Sequence, residues 1–220
     1  DQLKKEGITF QVNTEIGRDI AANEIFEIYD ATCIAIGAQQ HRDVTVPGRD
    51  LDGIHFAMDY LIQENRVRSG VNFSPNERVY AKDKNVVVLG GGDTGADCVA
   101  TAVRQGAKQV VQISINPRKP EHRLMNNPWP EQPLKYKKTY AQEEGGTAEF
   151  SIDTIGFVDS DHDGQVDFLS GERVEWTYEG RKRVEKRAWK KNFGIPPTLY
   201  LSPLDLAARK KCRSKTPDSR

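Results

Sequence analysis

The chain has 220 residues, 37% of them hydrophobic and 29% charged, with 32 basic and 32 acidic side chains and a formal net charge of zero. That length suits one large or two small soluble domains, and the balanced charge implies neither a nucleic acid nor an anionic membrane as partner. No apolar run approaches the length of a membrane span and the opening DQLKKEGITF lacks a signal-peptide pattern, so the cytoplasm is the default expectation.

Along the chain, Ala31 to Ile36 is a short apolar run expected to be a strand, closed by Gly37-Ala38, where small residues permit close backbone approach. Pro47-Gly48 marks a turn, and Ile54 to Ile62 can form a helix that buries Phe56, Tyr60 and Leu61. Cys33, Cys98 and Cys212 show no C-x-x-C spacing and offer neither a disulfide framework nor a zinc or iron–sulfur site. Cys33 in its strand and Cys98 on a helix read as small buried hydrophobes.

Asn85 to Leu89 is an apolar, β-branched run, and Gly90, Gly92 and Gly95 follow it on the G-x-G-x-x-G spacing. The first glycine turns the chain tightly, the second lets a pyrophosphate approach the backbone, and the third lets helix and strand pack closely. A helix from about Thr94 to Gln105 aims free N–H groups and its positive dipole end at phosphates, and Gly106 stops it. With a second strand from Val110 to Ile115 this is a complete βαβ unit, the context that turns a weak glycine spacing into a dinucleotide cradle.

NAD sites usually carry an acidic residue at the end of the second strand for the ribose 2′-hydroxyl. Here the strand is followed by Asn116, Pro117, Arg118, Lys119, Pro120, Glu121, His122 and Arg123. A cationic cluster with no carboxylate at the strand tip suits a 2′-phosphate, with Arg as a planar bidentate donor, and points to NADPH rather than NADH. A solvated basic loop is the alternative.

Further on, Trp129 in NPWPEQP reads as the buried anchor of a Pro-rich loop in preference to a stacking platform. Residues 146 to 194 read as antiparallel strands. Within them Asp159, Asp161, Asp163 and Gly164 reproduce the first half of an EF-hand loop, but the twelfth position is Ser170, so an Asp-Gly hairpin turn is expected in place of calcium. His41, His55, His122 and His162 are scattered without ligand spacing, and no metal is expected.

Several separate segments resemble the family of small (β) subunits of NADPH-dependent glutamate synthase and related flavoproteins of the pyridine nucleotide–disulfide oxidoreductase class. They are YDATCIAIGAQQHRDVTVPG, with Ile36 where the pattern usually has Thr, GGGDTGADCVATAVRQGAK, and INPRKPEHR with NNPWPEQP and EEGG; together the resemblance covers about residues 7 to 195. It implies an α/β fold: a three-layer Rossmann-like NADPH-binding domain over 45–195 with an inserted antiparallel β-meander, preceded in 1–44 by the end of a FAD-domain segment that starts with a strand at Ile8 to Val12. By the same resemblance Gly90, Gly91, Gly92, Asp93, Thr94 and Gly95 hold the NADPH pyrophosphate. Arg118, Lys119 and Arg123 are candidates for the 2′-phosphate, and Ala35, Gly37 and Ala38 face the flavin.

Members of the family pass electrons from NADPH through FAD to iron–sulfur clusters, towards a glutamine-dependent large subunit that makes glutamate. The cofactors perform that chemistry, so no acid–base pair or nucleophile is expected. The family's own FAD glycine motif and cysteine-rich iron–sulfur region do not occur in these residues, which implies a fragment without tight FAD binding. The alternatives are a flavin reductase feeding another acceptor, and a non-catalytic nucleotide-binding module.

Residues 196–220 depart from the resemblance, at the point where relatives carry a segment like A-D-L-V-F-I-A-I-G. Codons for that segment read one base out of frame can encode Pro-Thr-Leu-Tyr-Leu-Ser-Pro-Leu-Asp, which is Pro197 to Asp205 here. The tail is therefore expected to be out of frame and disordered or loosely adherent, since Pro197, Pro203, Pro217 and the run Arg209, Lys210, Lys211, Arg213 and Lys215 disfavour a central strand. Moving the coding DNA by one base after Pro196 should yield A-D-L-V-F-I-A-I-G or a close variant, followed by more FAD-domain sequence. An early stop in that frame overturns the account.

Overall fold

The computed structural model describes residues 1–37, 43–74, 77–179, 182–195 and 199–202. Its contacts divide the chain into Asp1–Gln39 and Gln40–Arg220. The first unit holds two short helices, α1 (Gln2–Lys5) and α2 (Ala22–Ile28), joined by irregular backbone. The strands expected at Ile8 to Val12 and Ala31 to Ile36 do not form. A strand exists through its neighbour's hydrogen bonds, and among the described residues neither segment has one. Their apolar side chains are left exposed, Ile34 at 72% and Ile36 at 78%, and none of the unit's described residues is buried. Cys33 is likewise exposed, against the expectation of burial.

The second unit is built on a parallel sheet. In chain order its elements are β1 (Ile54–Phe56), α3 (Ala57–Arg68), β2 (Asn85–Leu89), α4 (Asp93–Arg104), β3 (Gln109–Ser114), α5 (Tyr140–Glu144) and β4 (Thr147–Phe150). Three antiparallel strands follow, β5 (Ile152–Val158), β6 (Phe168–Glu179) and β7 (Lys182–Ile195), before β8 (Leu199–Ser202) returns to the parallel sheet. The two sheets run β1-β8-β2-β3-β4 and β5-β6-β7.

Side-chain alternation along β2 makes the fold three-layered, because successive residues point to opposite faces of a sheet. Val86 and Val88 join Tyr60, Ala96, Val99 and Ala102 of the helical layer in one core cluster. Val87 and Leu89 face the other way, with Ile113, against Ile152, Phe157 and Leu169 of the antiparallel sheet. Cys98 is fully buried in the helical layer, and burial, with Asp97 second, pushes its thiol up to about 12, which leaves it a packed hydrophobe with no nucleophilic role.

The helix expected over Ile54 to Ile62 starts late, at Ala57, because Ile54–Phe56 pairs in parallel with β8. Tyr60 is fully buried and donates to Gln105 Oε1 at 2.9 Å, Leu61 packs at the edge of the core, and Phe56 is half-buried beneath the Arg49 guanidinium at 4.6 Å. Residues Thr147–Phe150, expected in the antiparallel set, instead extend the parallel sheet beside β3.

The tail expectation changes at Leu199–Ser202, which form a central strand between β1 and β2. Pro197 and Pro203 bracket these four residues in sequence without falling among them, and Leu-Tyr-Leu suits a strand. Two neighbouring parallel strands then supply backbone partners on both sides. The remainder of that expectation, over 196–198 and 203–220, falls outside the described residues.

Candidate functional site

The parallel sheet changes direction of growth at β2: the chain moves to β3 and β4 on one side, while β8 and β1 lie on the other. In open α/β sheets ligands bind at such a switch point, beyond the carboxyl ends of the strands. Gly90 leaves β2 there with φ +129°, donates its N–H to Ile113 O at 2.7 Å and accepts from Gln112 Nε2 at 2.9 Å.

Helix α4 begins immediately, with Gly92 as its N-cap and no side chain capping it. The first backbone bond of the helix runs from Ala96 N to Gly92 O at 3.0 Å, so the N–H groups of Asp93, Thr94 and Gly95 precede the intrahelical ladder. A Cβ on Gly91 would come within 2.9 Å of Ser114 Oγ, and one on Gly95 within 2.4 Å of Gly90 O and 2.8 Å of Gln112 Nε2. Glycine is thus demanded where the loop is pressed against β3 and the helix. The bare donors and the concave backbone fit a pyrophosphate.

Gln112 was missed in the sequence. It is 5% exposed in a central strand, holds Gly90 O through Nε2, and accepts from Gln142 Nε2 at 3.3 Å. Gln142 in turn completes a capping box with Thr139 at the start of α5. A polar side chain inside an apolar strand requires a partner, and that requirement is the signal that could have found it.

At the tip of β3, Ser114 Oγ accepts from Asn116 N at 3.1 Å, and the chain continues into the cationic segment. Arg118 and Lys119 are exposed and Arg123 is half-buried. Arg118 Nη2 donates to Glu121 Oε1 at 2.6 Å, and its guanidinium lies 4.2 Å from the Tyr136 ring centroid. Arg123 Nη2 donates to Glu131 O at 2.8 Å. The cluster therefore carries a carboxylate, Glu121, one hydrogen bond from its central Arg. A groove of about 790 Å³ opens beside Arg118, lined also by Phe150, Arg173, Trp176 and Tyr178.

Gly90 to Gly95, Arg118, Lys119 and Arg123 all lie in the second unit. Ala35 and Gly37 belong to the first, exposed and outside any strand, while Ala38 lies outside the described residues. Trp129 is 83% exposed, so the Pro-rich loop is not anchored by it. Its anchor is the buried Asn127, which donates to Glu131 Oε2 at 2.9 Å and accepts from Leu134 N at 2.7 Å.

The Asp159–Gly164 segment joins β5 to β6, with Asp159 accepting from His162 N at 2.7 Å and Gly164 N at 2.9 Å. The Gly164 amide foremost, then those of His162 and Asp163, hold its carboxyl below the usual range against the opposing effect of burial. Asp159, Asp161 and Asp167 bring carboxylate oxygens within 4.8 Å of one another. Among the described residues no helix is long and apolar enough to cross a membrane.

No family model matches the chain. The glutamate synthase [NADPH] small chain of Bacillus subtilis is 45% identical over 179 residues, covering 79% of this chain and 36% of that protein. The small chain of Mycobacterium tuberculosis is 42% identical over 177 residues with the same coverage. Glutamate synthase [NADH] of Schizosaccharomyces pombe is 37% identical over 186 residues, 81% of this chain and 9% of that protein. Among solved structures, Mycobacterium tuberculosis FprA in complex with NADPH aligns with a TM-score of 0.53 at 16% identity, over 84% of this chain and 52% of that one, a likeness of fold. The chain thus spans 36% of the length of the Bacillus subtilis and Mycobacterium tuberculosis small chains and is a homologue of that part of the glutamate synthase small chain, with a Rossmann-like α/β fold.

Proposed function

We propose that this chain binds NADPH, with Gly90, Gly91, Gly92, Asp93, Thr94 and Gly95 around the pyrophosphate and Arg118, Lys119 and Arg123 around the 2′-phosphate. The observation that carries the reading is the uncapped N-terminus of α4 behind a glycine loop at the switch point of a parallel sheet. Relatives named as NADPH glutamate synthase small chains, and the fold shared with FprA in complex with NADPH, support it. In this reading the amides from Gly91 to Gly95 fix the phosphates, Gln112 holds the loop against β3, and Arg118 meets the charge that separates NADPH from NADH.

In the longer protein the site serves transfer of reducing equivalents from NADPH through FAD to iron–sulfur clusters, for synthesis of glutamate from glutamine and 2-oxoglutarate. The partner is a glutamate synthase large subunit and the setting the cytoplasm. NADPH bound there would supply a hydride, for which a flavin held by other residues would be the acceptor. The present residues do not fit FAD: the sequence has one G-x-G-x-x-G, and Ala35 and Gly37 lie outside any sheet. Ala35, Gly37 and Ala38 are proposed to face the flavin once the remaining sequence is present.

The test is a melting curve with and without NADPH, together with NADPH oxidation by an artificial acceptor in the presence and absence of FAD. Stabilisation by NADPH without turnover is expected in both conditions. Absence of stabilisation overturns the nucleotide site, and FAD-dependent turnover overturns the assignment of flavin binding to other residues.

A further inference from the structure

Glu121 sits inside the loop proposed to receive the 2′-phosphate, and it already occupies the group that would bind it. Its Oε1 accepts from Arg118 Nη2 at 2.6 Å, with the two side chains 59% and 54% exposed. The guanidinium is held from its face by Tyr136 at 4.2 Å. Tyr136 is fixed in turn, donating from its backbone N to Pro120 O at 2.7 Å and meeting Phe150 edge-on at 6.1 Å. Arg118 is therefore a cation held by one carboxylate and one ring face, with an open groove beside it.

We propose that Glu121 sets how strongly this site prefers a 2′-phosphorylated nucleotide, by competing with the phosphate for Arg118. The proposal rests on the nucleotide site assigned above. A phosphate monoester carries a charge near −2 at pH 7 and three acceptor oxygens, so it displaces a single carboxylate from an exposed pair that water already screens. NADH brings no such group. It leaves the Arg118–Glu121 pair intact, and no guanidinium is stranded without a counter-ion. Glu121 thus lowers the affinity for NADPH, through competition and like-charge repulsion, while leaving NADH untouched. Tyr136 keeps the guanidinium plane in place, so the exchange of anions requires movement of Glu121 alone. Relatives named for NADPH and for NADH both match this chain, at 45% over 179 residues and 37% over 186 residues.

The experiment is a double-mutant cycle on the 220-residue chain, with dissociation constants for NADPH and NADH measured calorimetrically for the unmutated protein, Glu121→Gln, Arg118→Ala and the double substitution. Glu121→Gln is expected to tighten NADPH about fivefold and to leave NADH unchanged. In the Arg118→Ala background the same substitution is expected to give less than half that gain. Unchanged NADPH affinity in Glu121→Gln, equal tightening for both nucleotides, or an undiminished gain without Arg118 overturns the proposal. If Arg118→Ala weakens NADPH while Glu121→Gln does nothing, the nucleotide site stands and the role of Glu121 falls. If the unmutated chain binds neither nucleotide, both fall.

Discussion

Replacing Arg118 and Arg123 together by alanine is expected to erase most of the chain's preference for NADPH over NADH. A hydrogen bond to a charged group contributes about 1.5–3 kcal/mol, which is about tenfold or more in affinity for each arginine. The two are not equivalent. Arg118 lines an open groove and is paired with an exposed carboxylate that a phosphate can displace, whereas Arg123 gives Nη2 to the backbone Glu131 O. The single Arg118→Ala change should therefore carry the greater share of the loss. Titration of each variant with both nucleotides checks this, and equal affinities in the unmutated chain would remove the 2′-phosphate assignment.

The second large effect separates two glycines of one motif. Gly92, the N-cap of α4, has φ −87° and ψ −176°, a conformation open to any residue. Gly92→Val should therefore leave the domain folded while its side chain takes the space where a pyrophosphate meets the backbone, so NADPH binding is lost. Gly95→Ala is different, because the added Cβ would lie 2.4 Å from Gly90 O and 2.8 Å from Gln112 Nε2. Either the helix backs away from the loop or Gln112 releases Gly90. Overpacking of this kind costs about 1–3 kcal/mol, and each kcal/mol lowers the melting temperature by about 2–4 °C in a domain of this size. Melting curves with and without NADPH distinguish the two: without ligand Gly92→Val stays folded with only the modest loss of an N-cap glycine, whereas Gly95→Ala loses more. A folded Gly92→Val protein that NADPH still stabilises would place the phosphates elsewhere.

The βαβ unit was legible in the sequence because each of its parts carries its own local signal. β2 and β3 are apolar runs, the glycines are spaced for a turn, and Gly106 ends the helix with φ +84°. What was misread depends on partners distant in sequence. Three residues at Ile54–Phe56 have no readable period, and they become a strand because β8, some 140 residues later, lies beside them. Thr147–Phe150 looks the same in either sheet until β3 claims it. Glu121 was visible as a residue of the basic loop, but its bond to Arg118 follows from how the loop folds back under Tyr136. For Trp129 the general habit of burying aromatics gave the wrong anchor, and the neighbouring Asn127 does that work through three hydrogen bonds.

The extended segments of the first unit have a practical consequence for the protein in solution. Ile8, Phe10, Val12, Ile34 and Ile36 sit on backbone that belongs to no sheet, so each segment presents apolar side chains together with the edge that another strand would pair with. A formal net charge of zero supplies no long-range repulsion between molecules. Self-association through these exposed apolar segments is therefore expected to rise with concentration, and light scattering over a concentration series checks it.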